Sequence, residues 1–372
     1  MKKALLLFAA AASATAIFAA DTPKTNLSKL YANDFLIGVA LPQNVTSQPG
    51  SDRAKFAASQ FNCLTPENLM KWDSTEPREG EFNFGPSDDL VKYAQENKMK
   101  IHGHTLIWHS QTPPWVFEGT DGKPATREIV LNRMEKHIKT LMKHYKGKID
   151  AWDVVNEAFN DDGTLRDSPW KQIVGDDFIE KAFAFARAAD PSAKLVYNDY
   201  NAYNPAKRKG IAKLARELKR KGLIDAVGMQ GHWQLDFPSA KMIEDSIKEY
   251  AAAGVKVMIT EMDIDVLPNP GYSGAEISQS IEYQEKYNPY TNGLPDDISK
   301  KLADRYRSLF KVFLKQSRNV YSVTVWGLDD GTSWLNGFPV HGRTNHPLLF
   351  DRKMNAKPCY DAIVEIKQPK KK

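Results

Sequence analysis

Two glutamates mark where chemistry could occur, because each closes an apolar run: Val154-Val155-Asn156-Glu157 and Ile259-Thr260-Glu261-Met262-Asp263. A single glutamate at the end of a strand is ordinarily solvated or salt-bridged. Two of them, facing each other across a bound chain, are what glycosidic cleavage requires: one protonates the leaving oxygen while the other stabilises or attacks the anomeric carbon. A second pattern, His102-Gly103-His104 with His109 nearby, has a spacing that metals use. A metal-dependent hydrolase would add histidine and carboxylate ligands at other strand ends, and those ends offer glutamate, glutamine and tryptophan instead. No cofactor or metal is therefore expected.

The elements that must position these residues read as alternating strands and helices. Apolar, β-branched runs predict strands at Phe35–Leu41, Asn62–Glu67, Lys100–Trp108, Ile149–Glu157, Lys194–Tyr200, Ala226–His232, Val255–Asp265 and Val320–Leu328. Apolar residues recurring at three and four predict helices, clearest at Thr126–Tyr145, Asp176–Ala189, Ala206–Lys221, Ser239–Ala253 and Ile298–Gln316, with Asp176 and Ser239 as caps. Shorter helices fit Asp52–Gln60, Asp88–Asn97 and Tyr360–Lys367. Eight such units predict an α/β fold, a single-domain (β/α)8 TIM barrel, and the near-continuous apolar strands suit a parallel sheet buried on both faces. Active sites of that fold lie at the C-terminal ends of the strands. The fourth and seventh strands then bring Glu157 and Glu261 to nearly opposite sides of the barrel mouth. The segment Leu267–Pro295 is too long for an ordinary connection and is expected to fold over that mouth.

The segments around these residues resemble those of the family 10 endo-β-1,4-xylanases. They are His104-Thr105-Leu106-Ile107-Trp108-His109-Ser110-Gln111, Trp152-Asp153-Val154-Val155-Asn156-Glu157 and Ile259-Thr260-Glu261-Met262-Asp263, with Thr65-Pro66-Glu67-Asn68-Leu69-Met70-Lys71-Trp72 and Val325-Trp326-Gly327-Leu328-Asp329-Asp330. The resemblance implies endo-hydrolysis of β-1,4-xylosidic linkages by retaining double displacement, with Glu157 as acid/base and Glu261 as nucleophile. It makes His232 the partner of the nucleophile, Asp263 the orienter of that histidine, Gln230 a neighbour of the acid/base, and Asn156 a ligand of the sugar 2-hydroxyl. Glu67, Asn68, Lys71, His104 and Gln111 would hold sugar hydroxyls. Trp326 and Trp334 would stack over the sugar with Trp108 beneath it, and Tyr200 would lie near the leaving-group side. Gly231, where the pattern commonly has serine, is a departure. Cellulases and mannanases share the two glutamates, and fold alone does not decide among these substrates. A barrel that only binds glycans would require loss of a carboxylate, and both are present.

Composition bounds the remaining choices. Met1-Lys2-Lys3, then an uncharged apolar run to about Phe18 and small residues before Asp21, has the plan of a secretory signal peptide. Residues 1–20 are thus expected to be removed and 21–372 to form the catalytic barrel, secreted or periplasmic and with no membrane attachment after cleavage. The net charge of +5 includes the terminal Lys370-Lys371-Lys372 and gives no nucleic-acid footprint. The expected partners are xylan and xylo-oligosaccharides, bound by a monomer. Cys63 and Cys359 could be bridged or free in an oxidising compartment.

Overall fold

The computed structural model describes residues 23, 25–119, 122–272 and 275–368; the expected signal peptide lies outside the described residues. The strands are β1 (Leu36–Leu41), β2 (Cys63–Pro66), β3 (Lys100–Gly103), β4 (Ala151–Asn156), β5 (Lys194–Asp199), β6 (Ala226–Met229), β7 (His232–Gln234), β8 (Lys256–Asp265) and β9 (Val320–Val325). Neighbours pair in parallel from β1 to β6, β6 pairs with β8, and β8 passes through β9 back to β1, so eight staves close a barrel. The sixth predicted strand is split: its end forms β7, which pairs only with the upper part of β8, His232 opposite Asp263.

A helix covers each stave: α1 (Asp52–Gln60), α2 (Gly85–Glu96), α3 (Arg127–His144), α4 (Phe178–Ala189), α5 (Pro205–Arg220), α6 (Ala240–Ala252), α7 (Asp296–Lys315) and α8 (Pro358–Lys367). Ser51, Thr126 and Ser239 accept backbone N–H bonds at the starts of α1, α3 and α6, each contributing about 1 kcal/mol. The predicted cap Asp176 is displaced by Asp177, whose side chain makes no cap bond. Arg127 takes that carboxylate in a two-pronged contact of 2.9 and 2.7 Å. Chain ends meet across the barrel seam: Tyr31 donates to the Ile363 carbonyl at 2.6 Å, and Lys367 pairs with Asp34 at 2.6 Å. Cys63 and Cys359 are buried and unbridged, and burial pushes their thiols up to about 12 and 11.

Two irregularities shape the mouth. β3 stops at Gly103 rather than running to Trp108, and its ladder resumes only at an isolated bridge between Ile107 and Val155. In β8 the register with β9 slips between Ile259 and Met262, and a bulge of this kind re-aims the side chains it contains. Glu261 sits inside it, its N–H bonded to the Gln230 carbonyl at 2.7 Å. Inside the barrel, a Cβ on Gly228 would come within 2.3 Å of Asn198 Oδ1. Only a residue without a Cβ leaves room for that asparagine side chain.

Candidate active site

A cavity of about 260 Å³ at the strand ends is lined by Glu67, Asn68, Lys71, His104, Trp108, Gln111, Asn156, Glu157, Gln230, His232, Glu261, Trp326 and Trp334, together with Ala275 and Ile277. Thirteen of these are residues that the sequence singles out.

Glu157 follows the last residue of β4 in a left-handed conformation, φ 57°, which costs a side-chain-bearing residue about 1–2 kcal/mol. Its N–H donates to the Asn198 carbonyl at 2.9 Å, and its carbonyl accepts from Arg166 Nε at 3.1 Å. These bonds hold the strained turn and aim the carboxyl group inward. There Gln230 Nε2 donates to Oε1 at 2.7 Å and Trp108 Nε1 to Oε2 at 2.8 Å. Burial raises its pKa, with the Asp199 charge adding to the rise and His109, Gln230 and Trp108 opposing it.

Glu261 is equally buried but titrates in the other direction. Desolvation would raise its pKa, yet the His232 hydrogen bond and the charges of His104 and His232 outweigh it and bring the pKa down. His232 Nε2 lies 3.2 Å from Glu261 and its Nδ1 lies 3.0 Å from Asp263. Burial works against an imidazolium there, but Asp263 and Glu261 together lift the histidine to about 10. The expected orienter Asp263 is therefore behind the cavity rather than in it, and Trp334 Nε1 holds its other oxygen at 2.8 Å. Gly231 also finds its reason: φ is 92°, and a Cβ would press to 3.2 Å on Ile259 and on the Met262 backbone. A serine there would be strained.

Around this pair, Lys71 Nζ donates to Asn68 Oδ1 at 2.8 Å and to Gln111 Oε1 at 2.7 Å, and stands 5.1 Å from the Trp108 ring centre. Burial lowers the Lys71 pKa while Glu261, Glu67 and Glu157 pull it back up. Trp334 stacks on Phe338 at 4.5 Å and is thereby fixed on two sides. Trp152 is 1% exposed and serves as core. Tyr200, expected near the leaving-group side, lies outside this cavity and shares Arg166 with the Glu157 carbonyl. Its hydroxyl accepts from Arg166 at 2.7 Å, and Lys207 Nζ lies 3.8 Å from its ring centre, so that face is closed to a sugar.

Three features escape the sequence reading. Asn198 Nδ2 donates both to Asn156 Oδ1 at 2.9 Å and to Glu261 Oε1 at 2.8 Å, while Oδ1 accepts from Thr260 at 2.7 Å. It lies on β5 between the two glutamate strands and occupies the Asn156 carbonyl, which leaves the Asn156 NH2 as the donor offered to a ligand. Its signal was its place in an apolar run, Leu195-Val196-Tyr197-Asn198-Asp199. The second is Asp153, which binds His102 and His104 at 2.8 Å each. Against its burial, the two histidines hold it at about 2. The His-x-His spacing thus serves a buried ion cluster beneath Glu261. The third is a contact of Glu276 with Arg166 and His109, in the long connection after β8.

A TIM barrel whose mouth carries two buried glutamates, one tuned to hold its proton and one to lose it, is a glycoside hydrolase of the paired-carboxylate kind. The sequence model for glycosyl hydrolase family 10 matches residues 26–366, and the chain belongs to that family. It is 47% identical over 334 residues to endo-1,4-beta-xylanase A of Xylanibacter ruminicola, covering 89% of this chain and 90% of that protein. A family 10 endoxylanase from a sugarcane soil metagenome superposes with a TM-score of 0.88 at 44% identity, covering 92% of this chain and all of the other. An intracellular xylanase of Thermoanaerobacterium saccharolyticum, solved as a glutamate-to-alanine variant with xylotriose, gives a TM-score of 0.79 at 36% identity, covering 91% and 98%.

Proposed function

We infer that this protein hydrolyses internal β-1,4-xylosidic linkages of xylan and xylo-oligosaccharides by double displacement. The observation that carries the reading is the opposite tuning of Glu157 and Glu261 in one cavity. Glu261, ionised, attacks the anomeric carbon as Glu157 passes its proton to the leaving oxygen. The glycosyl ester so formed is cleaved by water, from which Glu157, now a carboxylate, removes a proton. As charge leaves Glu261, the Asn156 amide gains on the 2-hydroxyl, where hydrogen bonds strengthen in the transition state. Lys71 and Asn68 on one side and Trp334 and Trp326 on the other bracket the sugar on the non-leaving side. The test is chemical rescue. Glu157→Ala should retain glycosylation by aryl xylobiosides with good leaving groups and be accelerated by azide in the second step, whereas Glu261→Ala should be inactive on every substrate without azide. Azide converting Glu157→Ala to an inverted α-glycosyl azide and Glu261→Ala to a retained β-glycosyl azide would exchange the two roles.

We further propose that residues 1–20 direct export and are removed, and that the mature chain works as a monomer outside the cytoplasm. The basic-then-apolar N-terminus supports the first point. N-terminal sequencing of protein recovered from culture medium and periplasm tests it, with retention of Met1 as the refuting result.

A further inference from the structure

The connection from β8 to α7 reaches the cavity through Ala275 and Ile277, while the residue between them turns away from it. Glu276 Oε2 is 2.6 Å from Arg166 Nη1 and 3.6 Å from His109 Nε2, the latter beyond hydrogen bonding but close for charge. Its Oε1 accepts from Ser278 Oγ at 3.2 Å, within its own segment. Arg166 in turn donates to the Glu157 carbonyl and to Tyr200. The Glu276 and Arg166 side chains are 17% and 19% exposed, so water screens this pair far less than a surface ion pair.

We propose that Glu276 is a positioning residue of the reaction, a clasp that fixes the wall formed by Ala275 and Ile277 beside Glu157 and balances the positive charge around that carboxyl group. The inference rests on Glu157 acting as the acid/base. Arg166 comes from the β4 connection and His109 from the β3 connection, and Lys71 from the β2 connection adds a third basic group. The other titratable groups around Glu157 are Asp199, Tyr197 and Tyr200 from β5 and its end, and Glu261 from β8. Glu276 is the acidic group bonded directly to Arg166. His109 foremost, and then the Arg166 charge, outweigh burial and hold it at about 2, so its charge is constant across any working range. Without it, the Arg166 charge is less balanced and favours the Glu157 carboxylate more strongly. A general acid that loses its proton too early fails most where the leaving group needs protonation.

The experiment compares wild type with Glu276→Gln, which keeps the shape, and Glu276→Asp, which keeps the charge. kcat/KM is measured across pH on xylotetraose and on a dinitrophenyl xylobioside, with melting temperatures recorded. Glu276→Gln should move the alkaline limb down by about 0.5–1 pH unit and should lose at least about 5-fold more activity on xylotetraose than on the activated aryl substrate. Glu276→Asp should keep the limb within about 0.2 unit of wild type, and it decides the matter alone if the glutamine variant does not fold. An unmoved limb in Glu276→Gln, equal losses on both substrates, or a limb shift in Glu276→Asp as large as about 0.5 unit would each overturn the inference. A wild type inactive on xylotetraose would instead refute the xylanase reading.

Discussion

Replacing His232 by alanine should raise the acidic limb of the pH–activity profile, because the histidine is what keeps Glu261 ionised. In the wild type the imidazolium is shared by Glu261 at 3.2 Å and Asp263 at 3.0 Å and is held at about 10. A hydrogen bond to a charged group contributes about 1.5–3 kcal/mol, and one pH unit corresponds to about 1.4 kcal/mol. Its loss should therefore raise the Glu261 pKa by about 1–2 units. The sign follows from the direction of the native shift. Glu261 is depressed and works as the anion, so the variant needs a higher pH to reach the same ionised fraction. The alkaline limb depends on Glu157, whose direct partners Gln230 and Trp108 remain in place, and should move much less. The assay is kcat/KM on an aryl xylobioside from about pH 3 to pH 9, because that ratio reports the free enzyme. Asp263 keeps the Trp334 N–H but loses its charge partner. Circular dichroism should therefore fix a temperature at which the variant is folded. An acidic limb that stays put or moves down would refute the claim that His232 tunes the nucleophile.

Asn198→Ala removes the donor shared by Asn156 and Glu261, and kcat should fall roughly 10–100-fold with little change in KM, the signature of a contact made mainly in the transition state. A change confined to KM, seen in steady-state kinetics on xylotetraose, would speak against it. Trp334→Ala should narrow the preference for aryl xylobioside over aryl cellobioside about 10-fold or more. The indole, pinned by Asp263 and Phe338, cannot retreat from a hydroxymethyl group, and an unchanged ratio of specificity constants would move the wall elsewhere. Asp153→Asn strips the charge from a carboxylate that binds two buried histidines and should destabilise the fold by about 3–5 kcal/mol. Unaltered urea unfolding would contradict this. The native Asp153 is depressed to about 2, so its stabilisation is complete above the unfolded pKa, near 4, and is lost as pH falls from there toward about 2.

The barrel was legible because its staves are written as apolar runs of strand length separated by helical periodicity, and those runs locate Glu157 and Glu261 without any partner being known. What the sequence left open were features that depend on contact across the ring. The end of β3 at Gly103 and the split after Met229 are local breaks in pairing, and no change in side-chain pattern announces them. Asn198 looked like one polar residue in a core strand until Gly228 was found to make room for it. Asp176 was a reasonable cap, but Arg127, fifty positions from Asp177 in the chain, claimed the neighbouring carboxylate. Glu276 lies in a connection with no periodicity, and only its contacts reveal it.

In the proposed mechanism Glu261 attacks the sugar from one face and Glu157 later activates water on the other, the face the leaving group left, so each bond is broken with net retention. Proton NMR of xylotetraose hydrolysis in deuterated buffer, recorded within the first minutes before mutarotation, observes this directly. With retention, the β-anomer of the new reducing end appears first and the α-anomer follows only at the rate of mutarotation. An initial α-anomer would mean that water attacks from the opposite side in a single displacement, and the assignment of Glu261 as nucleophile would be wrong.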